Sequence, residues 1–536
     1  MTAPAVDFPI VWVEADDPEL TWERDDMHMP FAVAPLSADY IQVLTDGMRY
    51  GRTKVGNPWH LHVRFWNGYV YMTARADRPV VDEDEAERAV AENQRALIPT
   101  AAAYWHERAM PELRAMRDWF ASLDVAETDL AGLADLWVEG WDRATRAWEI
   151  HFLAIRAPYQ VTDDLADLYE GLVTDAPPGE ALRMIQGQAH ELHVVDQGID
   201  ALAGIVASDP DLRQAFSEGT PSVDRLADMP AAATLLDELA AFLGDHGHLG
   251  GSFDDLGFAT WSERPEMVLG DVKRRLATGG PTSEERRATL LAEADRLADD
   301  VRRRLADRPD DLAAFEELLV HARTVGPLTE IHNYWIDRLA HAGVRRMALQ
   351  VGARLVAAGV MGDPEDVLYL SRSEVETVLR DPEDRQAMIA ERRILHERQK
   401  SMSAPYRVGK VPDGPAGADR FDGARFEPEQ DGRLRGTGAS GGVYRGTARV
   451  VLGPADFGKV QRGDVIVAPS SNPSWLPLFT IAGGLLTNTG GVACHAAVVA
   501  REFGLPAVVG LGDATTRVRD GATVELDGTT GHVTIL

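Results

Sequence analysis

The stretch TNTGGVACHAAVVAREFGLPAVVG, residues 487–510, decides the fold of the C-terminal part of the chain. Two glycines precede the chain's single cysteine, Cys494, and a histidine, His495. Glycine permits positive φ and close backbone approach. The segment after His495 is a good helix former, and Gly504 is typical of a helix end. The pattern predicts a short helix with His495 in or near its first turn.

The position of His495 bears on the chemistry that it can support. Unpaired backbone N–H groups and the positive end of the helix dipole favour an anion at a helix start. A neutral imidazole there can act as a nucleophile, and the N–H groups can stabilise the phosphoryl oxygens that it acquires. A metal cation would be less favourable. A helix-capping or packing histidine is the structural alternative, and the local pattern does not decide between the two.

Strand patterns surround this helix. The runs YRGTARVVL, DVIVAP, GGLLTN, PAVVG, ATVELDG and HVTIL predict strands, which gives a small α/β domain over residues 434–536. Residues 401–433 are rich in Gly, Pro and Asp, as in a flexible linker. Residues 96–400 have a helical pattern, and residues 1–95 form a mixed segment that we expect to pack on the helical domain.

Two local signals upstream are specific. Asn67-Gly68 lies between strand-like runs and predicts a hairpin turn. Thr282 and Glu285 have the spacing of a capping box before an apolar stripe, which predicts the start of a long helix. The fold class expected from the whole pattern is multidomain α+β.

Composition excludes several function classes. The chain has 536 residues, with 85 acidic against 54 basic side chains and a formal charge of -31. Such an excess argues against nucleic acid and anionic membrane surfaces as partners. No apolar run reaches the roughly 20 residues of a membrane-spanning helix, the start lacks the basic region of a signal peptide, and one cysteine excludes an internal disulfide. We expect a cytoplasmic protein.

The residues around His495 also carry a family resemblance. Thr487, Gly490, Gly491, Cys494 and His495, followed by Arg-Glu and by a Gly-x-Pro-Ala-Val-Val-Gly strand, resemble the phosphohistidine signature of the phosphoenolpyruvate-utilising enzymes. That family includes rifampicin phosphotransferase and phenylphosphate synthase. The resemblance implies a C-terminal swivelling β/β/α domain in which His495 carries a phosphoryl group between distant sites. It also implies that Thr487, the two glycines and Cys494 bind that group.

The resemblance extends weakly into the helical region, in GDHGHLGGSFDDLGFATWSERPEMVL and in the segment that begins LTEIHNYW. It implies a large, mainly helical domain that binds the acceptor substrate, and a chain that corresponds to the latter two-thirds of such an enzyme. We find no counterpart of the ATP-grasp domain and no Walker loop. We therefore expect a separate ATP-grasp partner subunit that holds ATP and Mg²⁺, with no cofactor or metal bound by this chain.

Candidates for the acceptor site lie in the same helical segments. Glu330, Asn333 and Tyr334 surround His332 in one polar cluster, and His246 and His248 occupy a glycine-rich stretch. A phosphoryl acceptor needs its hydroxyl positioned and deprotonated. We expect His332 or His248 to be the base. A surface helix and a plain turn are the respective structural alternatives.

The leading hypothesis is a phosphotransferase component that passes a phosphoryl group from the partner, through His495, to a small phenol or alcohol. One alternative is a non-catalytic small-molecule binding or scaffold subunit. Another is a diverged hydratase or dehydratase that uses the helical pocket. We expect Arg501 and Glu502 to form an ion pair on the surface or at a docking face.

Overall fold

The protein is described by a computed structural model. It describes residues 8–25, 28–173, 179–250, 255–402, 404–405, 407–410, 433–452, 454–471, 475–479, 481–492, 494–512 and 514–536, without the side chains of residues 278, 454, 455, 476 and 477. Most of the expected linker, residues 411–432, lies outside this range.

The chain forms two compact units, each discontinuous in sequence. The first unit comprises residues 1–157, 252–258 and 335–414, and the second comprises residues 158–251, 259–334 and 415–536. The chain therefore leaves the first unit and returns to it before the C-terminal strands begin. The sequential domain boundaries given above stay predictions.

The helices occupy most of the chain before residue 400. They are α1 Pro35–Lys54, α2 Glu83–Arg95, α3 Ile98–Tyr104, α4 Met110–Ala121, α5 Leu130–Ala154, α6 Arg156–Leu172, α7 Glu191–Ser208, α8 Pro210–Glu218, α9 Val223–Ala227, α10 Ala233–His246, α11 Glu266–Thr278, α12 Ser283–Arg304, α13 Pro309–Val325, α14 Leu328–His332, α15 Arg338–Ala357, α16 Arg372–Arg380, α17 Gln386–Lys400, α18 Leu476–Phe479, α19 His495–Glu502 and α20 Ala514–Arg517. Short 3₁₀ turns cover Asp17–Glu19, Ala181–Ile185, Pro230–Ala232, Pro364–Tyr369 and Pro454–Lys459, and π-helical turns cover Trp105–Ala109 and Asn333–Asp337.

The strands fall into two sheets. They are β1 Thr21–Arg24, β2 Trp59–Trp66, β3 Tyr69–Ala76, β4 Arg407–Gly409, β5 Arg433–Arg435, β6 Thr437–Ser440, β7 Val443–Val450, β8 Val465–Ala468, β9 Gly484–Thr487, β10 Ala507–Val509, β11 Thr523–Asp527 and β12 His532–Ile535.

The first unit pairs a small sheet with helices. Its strands run in the order β2-β3-β1-β4, and every pair is antiparallel. The β2–β3 hairpin turns at Asn67 and Gly68, both with positive φ (50° and 79°), so the predicted turn is confirmed. Trp22 and Trp66 are buried in this sheet's core. Strand β4 shows that the start of the expected linker is part of the first unit's sheet.

The second unit combines a helical part, residues 158–334, with a sheet of the C-terminal residues. Helix α12 begins at the predicted capping box, in which Thr282 and Glu285 each bond the other's backbone N–H. The sheet has the order β5-β12-β11-β7-β8-β9-β10-β6. Strands β7 to β10 are parallel and the outer pairs are antiparallel. These elements confirm the α+β fold class.

The parallel strands fix the position of α19. The β9–α19–β10 connection is a crossover between neighbouring parallel strands, so α19 starts at the carboxyl edge of the sheet. Ala496, Ala497, Val499 and Ala500 of α19 pack into a core with Ile466, Leu485 and Val509 on one face of the sheet. A second apolar cluster fills the opposite face. His495 is therefore attached to a helix held rigidly by its own domain.

Within the described residues, no helix is both long enough and apolar enough to cross a membrane.

Candidate functional site

His495 is the first residue of α19, and Cys494 is its N-cap. Cys494 has extended backbone geometry (φ -70°, ψ 159°) and its side chain does not cap the helix. The sequence predicted this helix start correctly, because the glycines lie in the preceding loop and the Ala-rich run begins at His495. The imidazole consequently lies beside the N–H groups and positive dipole end of α19.

The imidazole contacts a carboxylate 165 positions away in the sequence. His495 Nδ1 lies 2.8 Å from Oε2 of Glu330, and the two side chains are 10% and 9% exposed. Glu330 is in α14, in the helical part of the same unit. The structure thus brings together the expected phosphoryl carrier and one of the expected acceptor-site residues.

The electrostatics of this pair determine its tautomer. Burial acts to raise the pKa of Glu330, but the charge and the hydrogen bond of His495 outweigh it and hold that pKa below its ordinary value. Glu330 is therefore ionised at neutral pH and can only accept hydrogen bonds. The Nδ1 atom must carry the proton, which leaves the lone pair of a neutral His495 on Nε2. That Nε2 is buried and has no hydrogen-bond partner among the described residues.

The other expected phosphoryl-binding residues line the loop before α19. Thr487 ends β9, is fully buried, and donates its hydroxyl hydrogen bond to the Thr489 carbonyl at 2.7 Å. Gly490 has φ 112°, and a Cβ there would lie 2.6 Å from Cys494 Sγ, so only glycine fits. The Gly491 carbonyl accepts a hydrogen bond from the Cys494 N–H at 3.1 Å. A phosphoryl-binding role for these residues stays a prediction.

The polar cluster of the helical part contains a π-helical turn that the sequence did not indicate. Helix α14 ends at His332, and residues Asn333–Asp337 are wound as a π-helix. His332 is buried and donates from Nδ1 to the Leu328 carbonyl at 2.6 Å, so a neutral His332 has its lone pair on Nε2. Asn333 donates to the Thr329 carbonyl at 3.4 Å. Single π-turns inside helices are frequent at functional sites.

His246, His248 and Tyr334 form a second polar group in the same unit. The Tyr334 hydroxyl donates to the Asp245 carbonyl at 3.1 Å, and its oxygen lies 2.7 Å from His246 Nδ1. Since the hydroxyl has one proton, His246 donates from Nδ1 and a neutral His246 has its lone pair on Nε2. Burial lowers the pKa of His246, with Asp245 opposing, so the ring is neutral at pH 7. The His248 ring stands edge-on to Tyr334, with centroids 4.6 Å apart.

A pocket opens beside Glu330, between the helical part and α19. Its lining has an apolar side and a polar side. The apolar side includes Leu182, Ile185, Pro327 and Val498, and the polar side includes Thr162, Gln186, His190, Thr329, Glu330, Arg501 and Glu502. Burial lowers the pKa of His190 to about 4, so its ring is neutral.

The expected ion pair between Arg501 and Glu502 is absent from the described structure. Arg501 is buried, at 7% exposure, and Nη1 donates to the Ala439 carbonyl at 3.0 Å. The pKa of Glu502 is raised to about 8 by burial and by the charge of Glu330. The prediction was wrong because consecutive residues of a helix point in different directions. The sequence also gave no sign that Gln186 and His190 reach this pocket.

Two family models match parts of the chain. Residues 460–531 match the mobile domain of PEP-utilising enzymes. Residues 155–330 match the rifampicin phosphotransferase fourth domain. The two matches contain His495 and Glu330, the two partners of the 2.8 Å contact.

Curated relatives share larger parts of the chain. A rifampicin phosphotransferase of Streptomyces sviceus is 32% identical over 319 residues, which cover 59% of this chain and 36% of that protein. YvkC, an uncharacterized phosphotransferase of Bacillus subtilis, is 26% identical over 395 residues, covering 73% of this chain and 47% of that protein. Chondramide synthase cmdD of Chondromyces crocatus is 28% identical over 562 residues, covering 99% of this chain and 14% of that protein.

This chain therefore spans less than half the length of each of these relatives. The two model matches and the geometry at His495 agree on the type of each part. Residues 460–531 are similar to the mobile domain of the phosphoenolpyruvate-utilising enzymes, and residues 155–330 are similar to the rifampicin phosphotransferase fourth domain.

Proposed function

We propose that this chain is a phosphotransferase component in which His495 carries a phosphoryl group to the hydroxyl of a small organic acceptor. The observation that carries this proposal is the contact between His495 Nδ1 and Glu330 at 2.8 Å, which leaves Nε2 as the nucleophilic nitrogen. The similarity to domains of known phosphotransferases supports the same reaction class.

The proposed reaction has two displacements at phosphorus. The Nε2 lone pair attacks the donor phosphate, so that an N–P bond forms and a P–O bond of the donor breaks. The acceptor hydroxyl then attacks phosphorus, and the electron pair of the N–P bond returns to Nε2. Splitting the transfer in this way lets one histidine serve two separate sites. The N–H groups at the start of α19 would stabilise the phosphoryl oxygens in both steps.

Glu330 has a positioning role in the second displacement. Its carboxylate holds the Nδ1 proton and orients the ring, in the way that a buried carboxylate orients the histidine of a catalytic triad. The proposed base that takes the hydroxyl proton of the acceptor is His332 or His248. We infer an acceptor with apolar surface, a phenol or an alcohol, because Leu182, Ile185 and Pro327 line the pocket beside Glu330.

The proposed phosphoryl donor is a separate ATP-grasp partner that binds ATP and Mg²⁺. His495 would then alternate between that partner and the helical part of this chain, carried by its own domain as a rigid body. With ATP and Mg²⁺ but no partner, the purified chain should stay unlabelled. Robust self-labelling of His495 under those conditions would overturn the partner proposal.

The histidine chemistry can be tested without a partner or an acceptor. Phosphoramidate phosphorylates histidine nitrogens when they become accessible, which for the buried Nε2 of His495 requires α19 to move away from the helical part. ³¹P NMR with peptide mapping identifies the nitrogen. We expect an acid-labile phosphoryl group on Nε2 of His495, lost in His495→Ala and kept in the control His532→Ala, which changes an exposed histidine of β12. Label on Nδ1, or on other histidines but not on His495, would refute the proposal.

A further inference from the structure

The polar side of the pocket beside Glu330 contains two buried donors that lack partners. Gln186 and Arg501 are each 7% exposed. Gln186 Nε2 and Arg501 Nε have no hydrogen-bond partner among the described residues, although both side chains line this pocket. Buried polar atoms in folded proteins are nearly always hydrogen-bonded. Two buried donors without partners in one pocket therefore indicate that a ligand binds there.

The guanidinium of Arg501 indicates the charge of that ligand. In the described structure its hydrogen bond goes to a neutral backbone carbonyl, that of Ala439. A buried cation is costly unless it is paired with an anion. Burial lowers the pKa of Arg501 to about 10, which still leaves it charged at neutral pH. An oxyanion beside Nε would compensate this charge.

Neither acidic residue of the pocket, Glu330 or Glu502, forms a hydrogen bond or an ion pair with Arg501 among the described residues, although the charges of both act on it at longer range. Glu330 already accepts the hydrogen bond of His495 Nδ1 at 2.8 Å. Glu502, with its pKa near 8, is mostly protonated at pH 7 and can donate a hydrogen bond. The neighbouring His190 is neutral and adds no charge. The pocket thus offers an amide N–H of Gln186 and a guanidinium N–H of Arg501 to an anionic ligand.

We propose that Gln186 and Arg501 form an oxyanion-binding site between the helical part of the second unit and α19. The ligand is either inorganic phosphate or the carboxylate of an organic compound, whose apolar body would then lie against Leu182 and Ile185. A guanidinium N–H that donates to an ionised oxygen makes a charge-assisted hydrogen bond, which is stronger than one between neutral groups. The site is complete only while α19 lies against the helical part, because Arg501 is on α19 and Gln186 is in the helical part.

Titration calorimetry of the whole chain tests this site, with inorganic phosphate and benzoate as probes. We expect saturable binding of at least one probe, weakened about tenfold in Gln186→Leu, which removes the amide donors and keeps a similar volume. Gln214→Leu is the matched control, since Gln214 is an exposed glutamine of α8 in the same unit. Arg501→Lys keeps the charge but removes Nε, and it should also weaken binding.

The outcomes separate the two sources of the oxyanion. Binding of phosphate alone assigns the site to phosphate, and tighter binding of benzoate assigns it to a carboxylate with an apolar body. Binding of neither probe, or equal affinity in Gln186→Leu and Gln214→Leu, would overturn the proposal. The titration involves no phosphoryl transfer, so a failure of His495 labelling would leave its result standing.

Discussion

The pair between Glu330 and His495 should couple the helical part of the second unit to α19 energetically. A double-mutant cycle measures this coupling, with the single variants Glu330→Gln and His495→Ala and the double variant that carries both changes. Glu330→Gln keeps the shape of the side chain and removes its charge, and His495→Ala removes the ring. The cycle isolates the interaction between the two side chains from the separate costs of each change.

The magnitude follows from distance and burial. A hydrogen bond to a charged group is worth about 1.5–3 kcal/mol when it is buried, and this one spans 2.8 Å between side chains that are about nine-tenths buried. We therefore expect a coupling energy of about 2 kcal/mol at pH 7. Because the folded pKa of Glu330 is below its ordinary value, this stability is present above the unfolded pKa of about 4.3. It is lost as the pH falls through the lower, folded pKa.

Hydrogen–deuterium exchange read by mass spectrometry provides the assay. Opening free energies of the amides in α14 and α19 are compared among the wild type, the two single variants and the double variant. A coupling energy of about 2 kcal/mol should appear in both helices, since they open together when the contact breaks. A coupling energy below about 0.5 kcal/mol, the ordinary error of additivity, would show that Glu330 and His495 do not stabilise each other as expected.

Three further predictions concern single positions. Glu502→Gln should flatten the pH dependence of unfolding: the raised pKa of Glu502 makes wild-type stability fall as pH rises from about 4.3 towards 8, by up to about 1.4 kcal/mol per pH unit. Urea denaturation of both proteins at pH 5 and pH 8 measures this. An equal change in unfolding free energy between the two pH values in the wild type and in Glu502→Gln would contradict the prediction. Gly490→Ala should cost about 2 kcal/mol, because φ is 112° and the new Cβ meets the neighbouring cysteine sulfur. Gly504→Ala, with open space around it, should cost only about 1 kcal/mol. Thermal melts measure the stability of both glycine variants. Tyr334→Phe removes the hydroxyl that accepts from His246 Nδ1 and should destabilise by about 1–2 kcal/mol. An unchanged melting temperature would argue against that hydrogen bond.

Local sequence patterns were sufficient to predict the strands and the helix of the C-terminal domain. The runs around DVIVAP and GGLLTN became β8 and β9, and HAAVVAREF became α19, because each depends on alternation, helix propensity or a glycine within a few residues. The hairpin at Asn67-Gly68 and the capping box at Thr282 were predictable for the same reason.

Features that depend on distant residues could not be predicted in this way. The Glu330 contact joins residues 165 apart, and nothing in either segment specifies the other. The π-helical turn at Asn333–Asp337 has no periodic signature in NYWID. The burial of Arg501 contradicts the usual exposure of charged residues, and it follows from the packing of α19 against the domain core.

Cys494 provides a single position for chemical labelling next to His495. It is the single cysteine among 536 residues, it is partly exposed, and it immediately precedes the phosphoryl-carrier candidate. A maleimide or a thiol-specific fluorophore should therefore modify the native chain at one place, at the N-cap of α19, with no background to remove by mutagenesis. The rate of that modification would report how often the start of this helix becomes accessible, in the same sample and on the same timescale as any phosphoryl transfer.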